Sequence, residues 1–402
     1  MSEVLRFPSV SKYHYELPAD RIADYPAANR GDSLLLNALQ EPFLKADFRD
    51  IAKLIPENTL MVFNETRVIP ARLHFQKQTG AKIEIFLLKP LSGNDIQIEM
   101  THTDSSEWEV LIGNASKWKE GLLELLLEDL ILYATRTGQN SVRFTWSKPD
   151  LSFAAVLSEA GKVPLPPYIK RDSEKSDLDR YQTVFAKREG SVAAPTAGLH
   201  FSDEIMTELT QSGVRFSKVS LDVGIGTFRP VKGEVKDHDM HKETIHITHE
   251  ELENLVINID RPWLFVGTTT LRTMESLYLH ALKIYHRLAE SSAIIDIHQW
   301  DHLKVKAKGL IPKKVAFEKL LHISETNDNS GLSGDTSLFI LKGQPVITAD
   351  LLLTNFHQPS STLLMLVDAF ASVDWKKAYD FALKNDFRFL SYGDACLFRL
   401  AN

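Results

Sequence analysis

A single cysteine, Cys396, leaves this sequence without a disulfide framework, a cysteine zinc site or a thiol redox pair. Long apolar runs are also missing. The start, MSEVLRFPSVSKYHYELP, has no signal core. The longest apolar stretches, GLLELLLEDLILYAT and STLLMLVDAF, are too short or too interrupted by acids to span a bilayer. There is no G-x-x-x-x-G-K-[ST] phosphate loop, and Gly224 and Gly226 of DVGIGTFRPV lack the third glycine of a dinucleotide fingerprint. A net charge of -7 argues against a generally basic coat for nucleic acid, while leaving room for a local basic groove. These absences together point to a cytoplasmic, soluble protein with no membrane partner.

What is present reads as a protein of two or three domains. Hydrophobic residues at 44% and charged residues at 25% are ordinary for a globular chain that buries a sizeable core. Leu60 to Phe63 reads as a buried strand, followed by a polar break that brings Arg67 and Arg72 close together. From Ala81 the texture changes. AKIEIFLL, NDIQIEM, EWEVLI and SVRFTW are short alternating runs separated by turn signals, which predicts a small β-barrel or sandwich over residues 67–151 with no helix of its own. On either side, residues 1–66 and 152–402 read as α/β. LSFAAVLSEAG is a short helix with a glycine stop. WLFVG followed by TTTLRTMESLYLHALKIYHRL, and DLLLTNFHQPSSTLLMLVDAF, are two strand–turn–helix units of a largely parallel sheet. Residues 322–336, HISETNDNSGLSGDT, read as a loop.

In such a sheet ligands collect at the carboxyl ends of strands, where helix N-termini offer free N–H groups. Three turns fit that place: Gly267 to Arg272, Thr354 to Ser361, and Ser391 to Ala395. Each turn alone also reads as an ordinary helix cap. The stretch GSVAAPTAGLHF, Gly190 to Phe201, is too small to pack a core and too apolar for a solvated linker, which suits a pocket wall. His200 within it and His357 sit in apolar, tightly turned segments, where a histidine serves either as a base near neutral pH or as a core group bonded to backbone. His238 and His241 are three apart, a spacing that suits a metal if helical, though solvated histidines are the plainer reading. For phosphate contacts the best basic residues are Lys170, Arg171, Arg180, Arg67 and Arg72.

Six motifs occur in order: GSVAAPTAGLHF, VGIGTFRPV, DHDMHKE, VGTTTLRTMES, LLLTNFHQPSSTLLMLVDAFA and FRFLSYGDACLF. With YELPADRIADYPAANRGDSLLL and LMVFNETRVIPARL near the start, they closely resemble the S-adenosylmethionine:tRNA ribosyltransferase-isomerase family of queuosine biosynthesis. The resemblance covers nearly the whole chain. It implies a Rossmann-like α/β domain interrupted by a small antiparallel β-barrel. The implied activity moves and isomerises the ribosyl group of S-adenosylmethionine onto 7-aminomethyl-7-deazaguanine at the tRNA wobble position, giving epoxyqueuosine with release of adenine and methionine. S-adenosylmethionine is then a co-substrate, no metal or other cofactor is called for, and a monomer is favoured. His200 and His357 become the acid–base candidates. Thr196, Gly226, Arg229, Gly267, Thr268, Thr269, Arg272, Asn355, Ser391, Tyr392, Gly393 and Asp394 become the substrate-binding candidates, with Arg229 and Arg272 facing a carboxylate or phosphate. Arg67, Arg72, Lys170 and Arg171 are the tRNA-binding candidates. The chain departs from the family at Leu34 (usually arginine), Asp222 (commonly histidine) and Ser337 (usually aspartate), and residues 281–333 look extended. A non-catalytic tRNA- or S-adenosylmethionine-binding paralogue, and more weakly a methyltransferase, are the competing readings.

Overall fold

A computed structural model of the protein describes residues 7–93, 95–228, 230–306 and 308–401. Ten strands make one mixed sheet, in the spatial order Ile294–Ile297, Leu332–Thr336, Glu243–Ile247, Arg215–Asp222, Leu60–Asn64, Trp263–Val266, Leu351–Asn355, Ala395–Arg399, Leu34–Ala38 and Leu44–Asp47. The middle four, Arg215–Asp222 through Leu351–Asn355, run parallel, with Val62 beside Phe265 and Leu264 beside Leu351. Every residue of Leu60–Asn64, Trp263–Val266 and Leu351–Asn355 is buried, as strands covered on both faces must be.

Alternation assigns the two faces. Leu60, Val62, Phe265 and Leu352 pack with Leu271, Met274 and Leu277 of the helix Thr268–Tyr285. Met61, Phe63, Leu264 and Leu353 face the other way, onto Ile51 and onto Ile205 and Leu209 of the helix Asp203–Gln211. The strand Ala395–Arg399 returns antiparallel and sets Ala395 opposite Asn355, so the turn before it reaches the carboxyl edge of the parallel strands.

The second sheet is antiparallel, ordered Arg72–Gln76, Lys82–Pro90, Ser105–Gly113, Ser141–Trp146, Ile131–Arg136 and Leu123–Leu126. Its two end strands lie against each other, so the sheet is nearly closed into a barrel. A separate core running from Ile69 to Leu157 fills it. The helix Phe153–Ala160, capped by Ser152 and stopped at Gly161, plugs it through Phe153, whose ring lies 5.8 Å from Trp108, 5.8 Å from Phe144 and 5.5 Å from Trp146.

Two expectations fail locally. NDIQIEM is not a strand: Asp95 accepts the N–H of Gln97, and the helix Ile96–Thr101 buries Ile96, Glu99 and Met100. That one-face burial is a helical period, which alternating Ile and polar residues over so short a run also satisfy. Residues 322–336 are not one loop. The helix Lys313–Glu325 extends into the segment, and Leu332–Thr336 pairs with Glu243–Ile247. Its low hydrophobicity reads as loop, yet Gly334 is where the backbone of Ile295 comes too close for any Cβ. No helix among the described residues is long and apolar enough to cross a membrane.

Phe153→Ala is expected to lower stability by about 3–5 kcal/mol, the usual cost of emptying a large aromatic site. Urea unfolding followed by tryptophan fluorescence measures it, with Trp108 and Trp146 reporting from the same cluster.

Candidate active site

The parallel strands end around a cleft of about 640 Å³. Its floor is made by Val223 after one strand, Gly267 to Thr269 after a second, and Thr354 to Gln358 at the end of a third. Ala194, Pro195, Thr196 and Ala197 form one wall, and Ser391 with Tyr168 another. The three turns singled out from sequence thus meet at one place. None of the described residues lining the cleft carries a charge.

Gly267 has φ +91 and begins the helix Thr268–Tyr285. A side chain is strained in that conformation, so glycine is what lets the strand turn directly into the helix. The Thr270 hydroxyl donates back to the carbonyl of Val266 at 2.7 Å, whereas Thr269 Oγ1 is buried at the cleft with no partner. A buried hydroxyl left open at a helix N-terminus is a hydrogen-bonding group in reserve for a ligand.

A chain of side chains backs the wall. Thr196 Oγ1 donates to Asn355 Oδ1 at 2.9 Å, Asn355 Nδ2 lies 3.2 Å from His200 Nε2, and His200 Nδ1 lies 2.8 Å from Ser33 Oγ. With the amide donating to Nε2, this network assigns the His200 proton to Nδ1. His200 does not line the cleft; it touches it through Asn355. Burial first, then the positive charges of Arg388 and Arg30, lower its pKa to about 3. His357 does line the cleft, with Nε2 2.9 Å from Thr354 Oγ1, and burial lowers its pKa to about 3. Both rings are therefore neutral hydrogen-bonding groups at neutral pH.

Of the other predicted ligand residues, Thr196, Gly267, Thr268, Thr269, Asn355 and Ser391 line the cleft. Arg272 does not. Buried, it pairs with Glu243, which also accepts the N–H of Gly224 at 3.1 Å and the hydroxyl of Thr227 at 3.0 Å. Gly226 lies under the ring of His241, which bonds Glu243 at 3.0 Å. His238 and His241 follow the short turn Val235–Asp237 and lie outside any helix, so the helical-spacing argument for a metal does not apply. Tyr392 donates to Asp177 at 2.7 Å, Gly393 fits a spot where a Cβ would strike the backbone at Arg388 and Phe389, and Asp394 accepts the N–H groups of Leu34 and Arg388 at 2.9 and 2.6 Å. These three brace the turn that delivers Ser391. Arg229 lies outside the described residues.

Among the basic candidates, Arg67 and Lys170 are exposed. Arg72 leans on Glu84 at 3.6 Å and over the Phe86 ring. Arg171 is spent on a bidentate pair with Asp177, at 2.7 and 2.8 Å, and on the face of Tyr25. The sequence reading missed Tyr168, whose hydroxyl meets Ser391 Oγ at 2.5 Å; the proline-stiffened VPLPPY before it was the available signal. It also missed Thr227, and it marked Gln358 and Ser361 only as part of the turn Thr354 to Ser361. Leu34, Asp222 and Ser337, the three departures from the family pattern, are all off the cleft wall. Asp222 sits beneath Gly190, where a Cβ would run into its carboxylate, and burial pushes that carboxyl up to about 7.

A family model described as "Queuosine biosynthesis protein" matches residues 10–398. The chain belongs to that family. Similar curated relatives are named S-adenosylmethionine:tRNA ribosyltransferase-isomerase. One from Syntrophomonas wolfei subsp. wolfei is 37% identical over 400 residues, 96% of each chain. One from Thermotoga maritima is 37% identical over 394 residues, 96% of this chain and 99% of the relative. A crystal structure of S-adenosylmethionine tRNA ribosyltransferase from Thermotoga maritima aligns over 96% of this chain and 99% of that one, at 27% identity and a TM-score of 0.46. The family explains why the six motifs cluster at the cleft and its braces.

The buried histidines give this site an acid sensitivity. With folded-state pKa values of about 3, below the ordinary 6.5, the unfolded chain binds protons that the folded chain refuses. Stability held above pH 6.5 is therefore lost as pH falls toward 3. Between pH 7 and 5 each histidine contributes about 2 kcal/mol of that loss. His357→Gln is expected to shrink the difference between urea unfolding curves at the two pH values by about that amount.

Proposed function

We propose that this protein transfers and isomerises the ribosyl moiety of S-adenosylmethionine onto tRNA, the activity carried in the names of its relatives. The acceptor in this reading is the amine of 7-aminomethyl-7-deazaguanine at the wobble position. The products are epoxyqueuosine-containing tRNA, adenine and methionine. The observation that carries the reading is the cleft: open at the carboxyl edge of the parallel strands, and walled by hydroxyls and amides.

S-adenosylmethionine enters as a co-substrate, and the chemistry the reading needs is proton transfer. Hydrogens on the ribose C5′ are acidified by the adjoining sulfonium, departing adenine must gain a proton, and the attacking amine must be neutral. Thr268 and Thr269 would hold polar atoms of the nucleoside at the helix N-terminus, Thr269 through its open hydroxyl. Thr196, Asn355 and Ser391 would bond the ribose or base from the walls. His357 would meet the ligand directly as a neutral imidazole. His200 would act behind Asn355, fixing which atom of the amide accepts and which donates.

Incubation with S-adenosylmethionine and tRNA bearing the aminomethyl base is expected to release adenine and methionine in equal amounts and add a ribosyl-derived mass to the RNA. A methyl adduct with S-adenosylhomocysteine, or intact co-substrate, would overturn the reading. Asn355→Ala is expected to slow adenine release about a hundredfold, because it frees both Thr196 and His200 from their bonds.

A further inference from the structure

A second recess of about 280 Å³ adjoins the cleft, and Ser391 lines both. Three guanidinium groups, Arg30, Arg180 and Arg388, line it. Their hydrogen bonds go almost wholly to neutral acceptors. Arg30 donates to the carbonyls of Leu199, Asp179 and Gln182 at 3.0, 2.7 and 2.6 Å. Arg180 donates to those of Ala28 and Ala27 at 2.9 and 2.6 Å, and its Nε is buried without a partner. Arg388 reaches the carbonyl of Tyr25 at 3.4 Å and stands 3.7 Å from the Asp394 carboxylate, which already accepts two backbone N–H groups.

Three cations thus share one distant carboxylate, and Arg30 and Arg180 form no ion pair within 4.0 Å among the described residues. Backbone carbonyls fix a guanidinium in place and leave its charge uncompensated. The field is felt nearby: the Arg30 guanidinium is destabilised by burial and by Arg180, and the charges of Arg30 and Arg388 help keep His200 neutral. Asp179 and Asp203 act on Arg30 only at longer range. A preformed, partly desolvated set of three guanidinium donors with one carboxylate between them is matched to an oxyanion. We propose that this recess holds a phosphodiester of the RNA whose base reacts in the adjoining cleft.

The assignment rests on the RNA-modifying reading of the cleft. A phosphodiester is favoured over the carboxylate of S-adenosylmethionine because the recess continues outward past Arg180 into a wide groove, lined by Arg30, Arg49, Glu204 and Glu208, that a chain running on past the recess can follow. An RNA backbone that enters beside Ser391 has a path onward there, with Arg49 held by Asp32 along it. A methionine chain ends at its carboxylate and has no use for such a path.

The test compares wild type with Arg180→Gln, Arg180→Lys and Arg388→Gln, measuring equilibrium binding of precursor tRNA across a salt series and of S-adenosylmethionine by calorimetry. Thermal melting accompanies each variant. Arg180→Gln and Arg388→Gln are expected to weaken RNA binding about tenfold each and to flatten the salt slope by about one. Arg180→Lys is expected to keep the slope while losing affinity. S-adenosylmethionine binding is expected to stay unchanged. Loss of S-adenosylmethionine affinity with RNA binding intact would overturn the proposal in favour of the carboxylate, and no change in either would overturn it outright. If Arg180→Gln melts early because its bonds to Ala27 and Ala28 are gone, Arg388→Gln, with its one weak carbonyl bond, decides. Wild-type protein that neither binds RNA nor releases adenine would instead sink the parent reading, independently of these variants.

Discussion

Two parallel strands cannot be joined by a tight turn; the chain must leave one edge of the sheet and return to the other. The four central strands, begun at Leu60, Arg215, Trp263 and Leu351, put that constraint at the heart of this protein. The path from Asn64 to Arg215 carries the whole six-stranded barrel, then Tyr168, then the wall from Ala194 to Ala197. Because each connection departs from the same edge, these segments, Gly267 and Asn355 are brought together without any direct sequence proximity. The antiparallel return at Ala395 adds Ser391 to the same edge. The cleft follows from the pairing pattern, and the side chains then set its chemistry.

Two buried hubs keep those connections in register. Asn355 joins Thr196 on one wall to His200 and, through it, Ser33. Glu243 joins Arg272, His241, Thr227 and the backbone of Gly224. Removing one partner of a buried ion pair strands the other charge and typically costs about 3–5 kcal/mol, so the Arg272–Glu243 pair sets the position of the loop over which Thr227 reaches the cleft. Both hubs are bonded to protein on each of their polar atoms. Thr269 Oγ1 stands out beside them as a group left open.

The central strands, the helices after Gly267 and Ser361, and the turns that build the floor were legible, because apolar runs followed by small polar residues leave few alternatives. The helix Ile96–Thr101 was not: IQIEM alternates like a strand and is periodic like a helix, and the cap at Asp95 with burial of Glu99 decides between them. The site was legible to the level of segments and less so within them. SYGDA offers Ser391, Tyr392, Gly393 and Asp394 as equals, yet only Ser391 faces the cleft, and the others hold the turn by contacts with Asp177, Arg388 and Leu34. Arg272 looked like an anion binder because its partner Glu243 lies on a strand three places along the sheet from Trp263–Val266, and no local pattern links the two. Arg171 was misjudged for the same reason in milder form, its partner Asp177 being six residues on.

Charge is distributed here in a way that suits the proposed chemistry. The described cleft wall is neutral, while the guanidinium groups of Arg30, Arg180 and Arg388 line the recess that shares Ser391 with it. A carboxylate inside would bind a sulfonium tightly as a ground state and gain nothing once the ylide neutralises that charge; only interactions that strengthen toward the transition state speed a reaction. Hydroxyl and amide dipoles can serve both the cation and the species that follow it. The cations outside lower the proton affinity of groups around them, His200 included, and by the same field they favour a neutral amine over an ammonium at the reacting end of the acceptor. In the proposed reaction the attacking nitrogen must carry a free lone pair, so a positive rim that anchored the RNA backbone would also keep its nucleophile unprotonated. One arrangement of arginines would then contribute to both binding and reactivity, with no charged side chain needed among the described residues of the cleft.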